Sequence, residues 1–255
     1  MSTQSKTKRT AEGIKHAVGP GCSDAMALAI INSDNPNKKL ELVRDALNRL
    51  KATLTDQNLS RAIYRLENSR YSTVFYKFFV ADPTPFVDMA LASSDNGLFM
   101  VFNSLSRLLE YEAASSIFSK DPNFFVEITK ATNQKAFSCF KHLSSTLSLA
   151  FIQTPNSFLE LARLTKRGMD NLLSFLSINP DALVIFSQKP EIFLTACRKI
   201  IDLNNDPEVI FTGLNSRKSQ PFFLQYLNGE ISAVDMAIIL KKNIPENLQG
   251  ENNVS

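Results

Sequence analysis

Few side chains in this sequence could carry out covalent or proton-transfer chemistry, and those few are poorly placed for it. The two histidines, His16 and His142, lie far apart, and His142 sits in Phe140-Lys141-His142-Leu143 among apolar positions of a helical pattern. That setting suits a partly exposed structural histidine better than a general base or a metal ligand. Cys22, Cys139 and Cys197 are odd in number and widely separated, and no Cys-x-x-Cys pair occurs. Such usage fits reduced, buried thiols in a cytosol-like compartment rather than a disulfide framework. Glu110 and Glu112 are two residues apart and so fall on different faces of a helix, which is wrong for an acid/base pair. Glycine-rich phosphate loops, His-Glu-x-x-His and Gly-x-Ser-x-Gly are absent. The expectation is a protein with no catalytic residues, no metal and no cofactor, whose work is binding.

Binding chemistry is better represented. Lys130, Arg163 and Arg198 follow one another at intervals of 33 and 35 residues, with Lys135, Lys166, Arg167 and Lys199 close by in sequence. Side chains of this kind, brought into one stripe, hold phosphates or an acidic protein segment. Their other use is at the end of a helix, where a cation favours the negative end of the dipole. The chain as a whole gives little help: 28 basic against 25 acidic residues leave a net charge of +3. That field is too weak to mark a nucleic-acid or membrane binder, so any electrostatic case is local.

The recurrence of these cations follows from an internal repeat. Phe79-Val-Ala-Asp-Pro83-Thr-Pro-Phe86, Phe118-Ser-Lys-Asp-Pro122-Asn-Phe-Phe125, Phe151-Ile-Gln-Thr-Pro155-Asn-Ser-Phe158 and Phe186-Ser-Gln-Lys-Pro190-Glu-Ile-Phe193 share one frame. In each, one Phe precedes the proline by four residues and another follows it by three. Next comes an aliphatic residue (Val87, Val126, Leu159, Leu194), and seven after the proline a small or short one (Ala90, Thr129, Ala162, Cys197). Proline is tolerated in the first turn of a helix and discourages helix in the residue before it, so each proline opens a helix. Residues three, four and seven further on share one face of that helix, and the small one lets a neighbouring helix come close. The cations stand eight residues after the proline; Leu91 interrupts their series in the first unit. Polar turns then lead to a second apolar helix, such as that carrying Phe140, Leu143 and Leu147, and a connector returns to the next frame. The prediction is an all-α chain, an α-solenoid of about four to six helical repeats of 33–39 residues.

The repeating proline in an apolar field, spaced by thirty-odd residues from Phe79 to Arg217, resembles the mitochondrial transcription termination factor repeat. That resemblance implies helical triplets that bind nucleic acid along a basic concave face. This chain departs from it in preferring Phe to Leu and in having only three basic residues in register. The Asn- and Ser-rich make-up is also similar to that of proteins delivered by bacteria into host cells.

The flanks divide the remainder. Residues 1–22 read as a flexible polar segment, basic at Lys6, Lys8 and Arg9, which also fits an organellar transit peptide. Residues 23–78 read as N-terminal helices, one opened by Ser23 and a longer one by Pro36. In the latter, Leu40, Val43, Leu47, Leu50 and Leu54 form a seam that either packs on a helix around Ala62, Ile63 and Leu66 or pairs with a second chain. The array proper spans 79–220, with capping helices over 221–242. Pro221-Phe222-Phe223-Leu224 is a degenerate frame, Ser232 with Asp235 a helix start, and 243–255 a disordered polar tail. No apolar run is long enough to span a bilayer. A soluble, cytoplasmic scaffold for a protein or peptide partner is the leading expectation, and a nucleic-acid binder of the termination-factor type the alternative.

Overall fold

A computed structural model describes residues 10–19, 21–53, 72–93, 98–132, 135–204 and 206–245. Among these, all regular structure is helical. The basic N-terminus at Lys6, Lys8 and Arg9, the helix around Ala62 to Leu66, the turn 94–97 and the tail from 246 lie outside the described residues. The chain divides into two compact units, residues 1–115 and 116–255.

The first unit contains α1 (Ala11–Val18), α2 (Asp24–Ile31), α3 (Pro36–Thr53), α4 (Ser72–Ala81), α5 (Thr84–Ala92) and α6 (Leu98–Leu108). Part of the segment expected to be a flexible tail is therefore a helix. The Thr10 hydroxyl accepts from the Gly13 N–H as an N-cap, and Ile14 and Val18, one turn apart, are buried. Helix α2 starts at Ser23, as its sequence suggested, with the Ser23 hydroxyl accepting from the Met26 N–H at 3.1 Å. The described part of the α3 seam is internal: Leu40, Val43, Leu47 and Leu50 are all buried, and the helix packs on α1, α4 and α5, while Leu54 lies outside the described residues. The rings of Phe75, Phe79, Phe86 and Phe102 meet at centroid distances of 4.9–6.2 Å and join α4, α5 and α6.

In the second unit each frame holds three helices, where two and a connector were expected. Helix α7 (Glu112–Lys120) spans the division between the units, and α8 (Asn123–Thr132) and α9 (Ala136–Leu143) follow it. Next come α10 (Ser148–Gln153), α11 (Pro155–Thr165) and α12 (Met169–Ile178), then α13 (Pro180–Gln188), α14 (Pro190–Asn204) and the short α15 (Pro207–Ile210) with a 3-10 turn at Phe211–Asn215. Helices α16 (Gln220–Leu227) and α17 (Ala233–Lys242) close the unit. Like packs on like. Helix α11 lies between α8 and α14, and α14 in turn contacts α17; α12 lies between α9 and the 3-10 turn; α13 lies between α10 and α16.

Rings running through the unit tie the first helix of each frame to the second. Phe118 meets Phe125, Phe125 meets Phe151, Phe151 meets Phe158, and so on through Phe186 and Phe193 to Phe223, at centroid distances of 4.8–6.2 Å and mostly edge to face. That is the favourable aromatic geometry. The residues seven after the proline, Thr129, Ala162 and Cys197, are wholly buried where α8, α11 and α14 lie side by side. Pro221 plays another part than expected. It stands in the first turn of α16, which packs on α13, so it matches Pro180 rather than the frame prolines, and the matching second helix is α17. Helix α17 starts at Ser232, whose hydroxyl accepts from the Asp235 N–H and donates to its carboxylate.

Phe158 has rings on two sides and no exposed surface. Phe158→Ala is expected to destabilise the chain by about 3–5 kcal/mol in urea denaturation, as for other buried aromatic residues. Leu149→Ala, on the outward face of α10, should change stability by no more than about 0.5 kcal/mol.

Candidate functional site

The three cations in register, Lys130, Arg163 and Arg198, lie in the last turns of α8 and α11 and midway along α14, with side chains 41–59% exposed. They do not form a bare positive stripe. Five residues after the first three frame prolines stand Asp88, Glu127 and Glu160, and the last two lie one turn before Lys130 and Arg163 on the same helix face. The Glu127 carboxylate lies 3.7 Å from Lys130 Nζ of its own helix and 3.5 Å from Arg163 Nη2 of the next. Arg198 repeats the step by hydrogen bonding to Glu160 on the preceding helix, and its other nitrogen is 4.0 Å from Glu191. Arg163 and Arg198 thus each reach back one frame to a carboxylate, while Lys130 pairs within its own helix, making a ladder across α8, α11 and α14. The ladder stops where Thr195 and Ile238 occupy the carboxylate's place on α14 and α17.

The other four candidate residues separate. Lys135 Nζ, at the start of α9, lies 3.5 Å from Asp170 of α12, and Asp170 also lies 3.7 Å from His142 Nε2. Lys199 lines a separate hollow of about 600 Å³, among Ile192, Thr195, Ala196, Leu227 and Ile231. There the Tyr226 hydroxyl donates to the Ala196 carbonyl, and burial together with nearby Cys197 pushes the phenol up to about 12. Lys166 and Arg167 form the 3-10 turn between α11 and α12 and share an open depression of about 440 Å³ with Lys130, Arg163, Glu127 and Glu208. Arg167 Nε is 3.7 Å from Glu208.

This turn is held from below. A side chain at Gly168 would bring its Cβ within 2.5 Å of the Pro207 carbonyl oxygen and 3.1 Å of Phe211, so only glycine lets the turn sit on α15. Asp206 fixes α15 in its turn by accepting from the Glu208 and Val209 N–H groups at 3.0 and 3.1 Å. Lys166 itself has φ 52° and ψ −127°, a conformation that favours glycine.

Cys139, His142 and Asp170 come together although no sequence motif joins them. The arrangement has the composition of a thiol-dependent site but lacks its electrostatics. Burial pushes the Cys139 thiol well up and the Asp170 charge pushes it further, which keeps it protonated and a poor nucleophile. Burial also lowers His142 below the ordinary imidazole value, against the pull of Asp170. No group of three His, Cys, Asp or Glu residues among the described residues could hold a metal ion, and no helix among them is long and apolar enough to cross a membrane.

Reading the cations alone missed their partners Glu127, Glu160, Asp170 and Glu208. The signal for two of them was in the frame, as an acidic residue five after the proline. Neither a protein-family model, nor a curated protein, nor a solved structure matches this chain.

Because His142 is depressed in the folded chain, the unfolded chain binds its proton more readily. The stability held by the neutral imidazole is fully present above about pH 6.5, the ordinary imidazole value, and is lost as pH falls from there through the lower value of the folded chain. His142→Gln is expected to flatten the difference in urea midpoint between pH 7.5 and pH 5.5 relative to the unchanged chain, and an equal difference in both proteins would show that His142 does not contribute. Cys139 and Cys197 should resist a thiol reagent such as dithionitrobenzoate until the chain is denatured.

Proposed function

We propose that this chain is a non-catalytic helical-repeat scaffold, an α-solenoid in its repeating part, that binds a protein or peptide partner. The observation that carries this reading is the pairing of the frame's cations with carboxylates of the neighbouring frame. A surface that tracks a nucleic-acid backbone needs cations left over for successive phosphates, since each phosphate contact releases counterions and supplies the affinity. Here Arg198 is hydrogen-bonded to Glu160 and Arg163 is loosely paired with Glu127, so the cations do not run on as an unbroken series, which favours a structural ladder over a phosphate track.

Apolar hollows support the same reading. One, of about 600 Å³, lies between α14 and the α16–α17 turn. Another, of about 700 Å³ in the first unit, is lined by Leu28, Ala29, Val80 and Ala81 with Lys39 and Lys77 nearby. Leu28 and Ile192 are each about half exposed there. Concave apolar surface with a few polar groups is the ordinary setting for a partner's side chains. The solenoid reading rests on like helices packing on like in the second unit, the arrangement that exposes extended binding surfaces in repeat proteins.

Nucleic-acid binding of the termination-factor type is the competing proposal, supported by the helical triplets and by the cations left around the depression. Binding to single- and double-stranded DNA and RNA, measured against salt, separates the two. The scaffold reading expects no measurable affinity near physiological salt and no effect of the triple change Lys130→Glu, Arg163→Glu and Arg198→Glu on that result. Micromolar, salt-steep binding removed by the triple change would overturn it, with a slope of about −0.9 per phosphate contact on duplex DNA.

A further inference from the structure

The depression beside the α11–α12 turn departs from the ladder that surrounds it. Four cations line it, Lys130, Arg163, Lys166 and Arg167, against two carboxylates, Glu127 and Glu208. The ion pairs there are loose: 3.7 Å from Lys130 and 3.5 Å from Arg163 to Glu127, and 3.7 Å from Arg167 to Glu208, none of them a hydrogen bond. Arg198, one frame further on, does hydrogen-bond to its carboxylate. Lys166 has no ionic partner among the described residues. The guanidinium groups at the depression therefore retain unused donors, and the site carries two positive charges in excess.

The backbone that presents them is fixed and strained. Gly168 seats the turn on the Pro207 carbonyl, and Lys166, at φ 52°, occupies a conformation that disfavours a non-glycine residue. A glycine at 166 would suit that backbone better, so the lysine stands there against the local backbone preference.

We infer that this depression receives a phosphomonoester dianion carried on a protein partner, a phosphorylated side chain. The inference rests on the protein-partner reading above and names the partner's chemistry. The excess of two positive charges matches the charge of about −1.5 to −2 on a phosphorylated residue near neutral pH. Two arginines offer the forked donors that suit its oxygens, and a lysine adds a point charge. A polyanion fits less well, because the next cation along the array, Arg198, is taken up by Glu160 and Glu191.

The test uses the full chain, isotopically labelled and titrated with phenyl phosphate, with a short phosphoserine peptide, with the same peptide unphosphorylated, and with oligo(dT). Phenyl phosphate and the phosphopeptide should shift the amide signals of residues 163–168 and 130, and the unphosphorylated peptide should not. Arg163→Ala with Arg167→Ala should weaken phosphopeptide binding by about tenfold or more, from two lost charge-assisted donors. Lys166→Gly should also weaken it while keeping or raising the melting temperature, because glycine suits that backbone. Arg198→Ala should leave it within about twofold, the scatter of a surface change. Equal binding of the two peptides, or phosphopeptide binding indifferent to both variants at the depression, would overturn the inference and leave the protein-partner reading standing. Tighter binding of oligo(dT) than of the phosphopeptide, lost in the double variant, would overturn both.

Discussion

The contact on which the second unit depends is between phenylalanine rings on either side of a proline elbow. In each frame the ring four residues before the proline and the ring three residues after it sit on consecutive helices, as Phe151 sits on Phe158 and Phe186 on Phe193. The proline supplies the break between the helices and the two rings fix the angle at which they close. Because the second ring also meets the first ring of the following frame, as Phe158 meets Phe186, the same pair that folds one frame attaches the next. The wholly buried Thr129, Ala162 and Cys197 then let the proline-opened helices lie close together.

Charge is arranged on top of this packing. The residues five and eight after the proline share a face, and stacking brings a carboxylate of one frame near a cation of the next. Exposed pairs of this kind contribute little individually to stability, roughly 0 to 1 kcal/mol. Their effect is on specificity, since a frame displaced along its neighbour would set like charges together. The depression at Lys166 and Arg167 is where this pattern is left incomplete, because those two cations stand on a turn outside the five-and-eight spacing.

Much of the architecture was legible in the sequence for a simple reason: a proline flanked by phenylalanines at fixed offsets has one helical interpretation, and it occurs four times. The burial of Phe125, Phe158 and Phe193, the cap at Asp206 and the start at Ser232 all follow from local chemistry. What was hidden depended on length or on partners distant in sequence. Helix α10 has six residues, too few to show a period, and so read as a connector. Helix α1 is short and mostly polar on its surface, and only Ile14 and Val18 reveal it. Pro221 opens a helix that matches α13 rather than the helices opened by the frame prolines, because both the first and the second helices of a triplet can open with proline. The cations were visible, but a carboxylate 36 residues before Arg163 became its partner only through stacking.

The close seating of like helices has a further consequence for how the second unit forms. Ring contacts in the spine join residues separated by one frame or less: Phe158 to Phe186 spans 28 positions and Phe151 to Phe158 only seven. Contacts bounded in this way cost modest loop entropy and favour rapid, local assembly. A nascent chain need expose only two successive frames before their rings can meet, so the unit can lengthen against an already ordered end as translation proceeds.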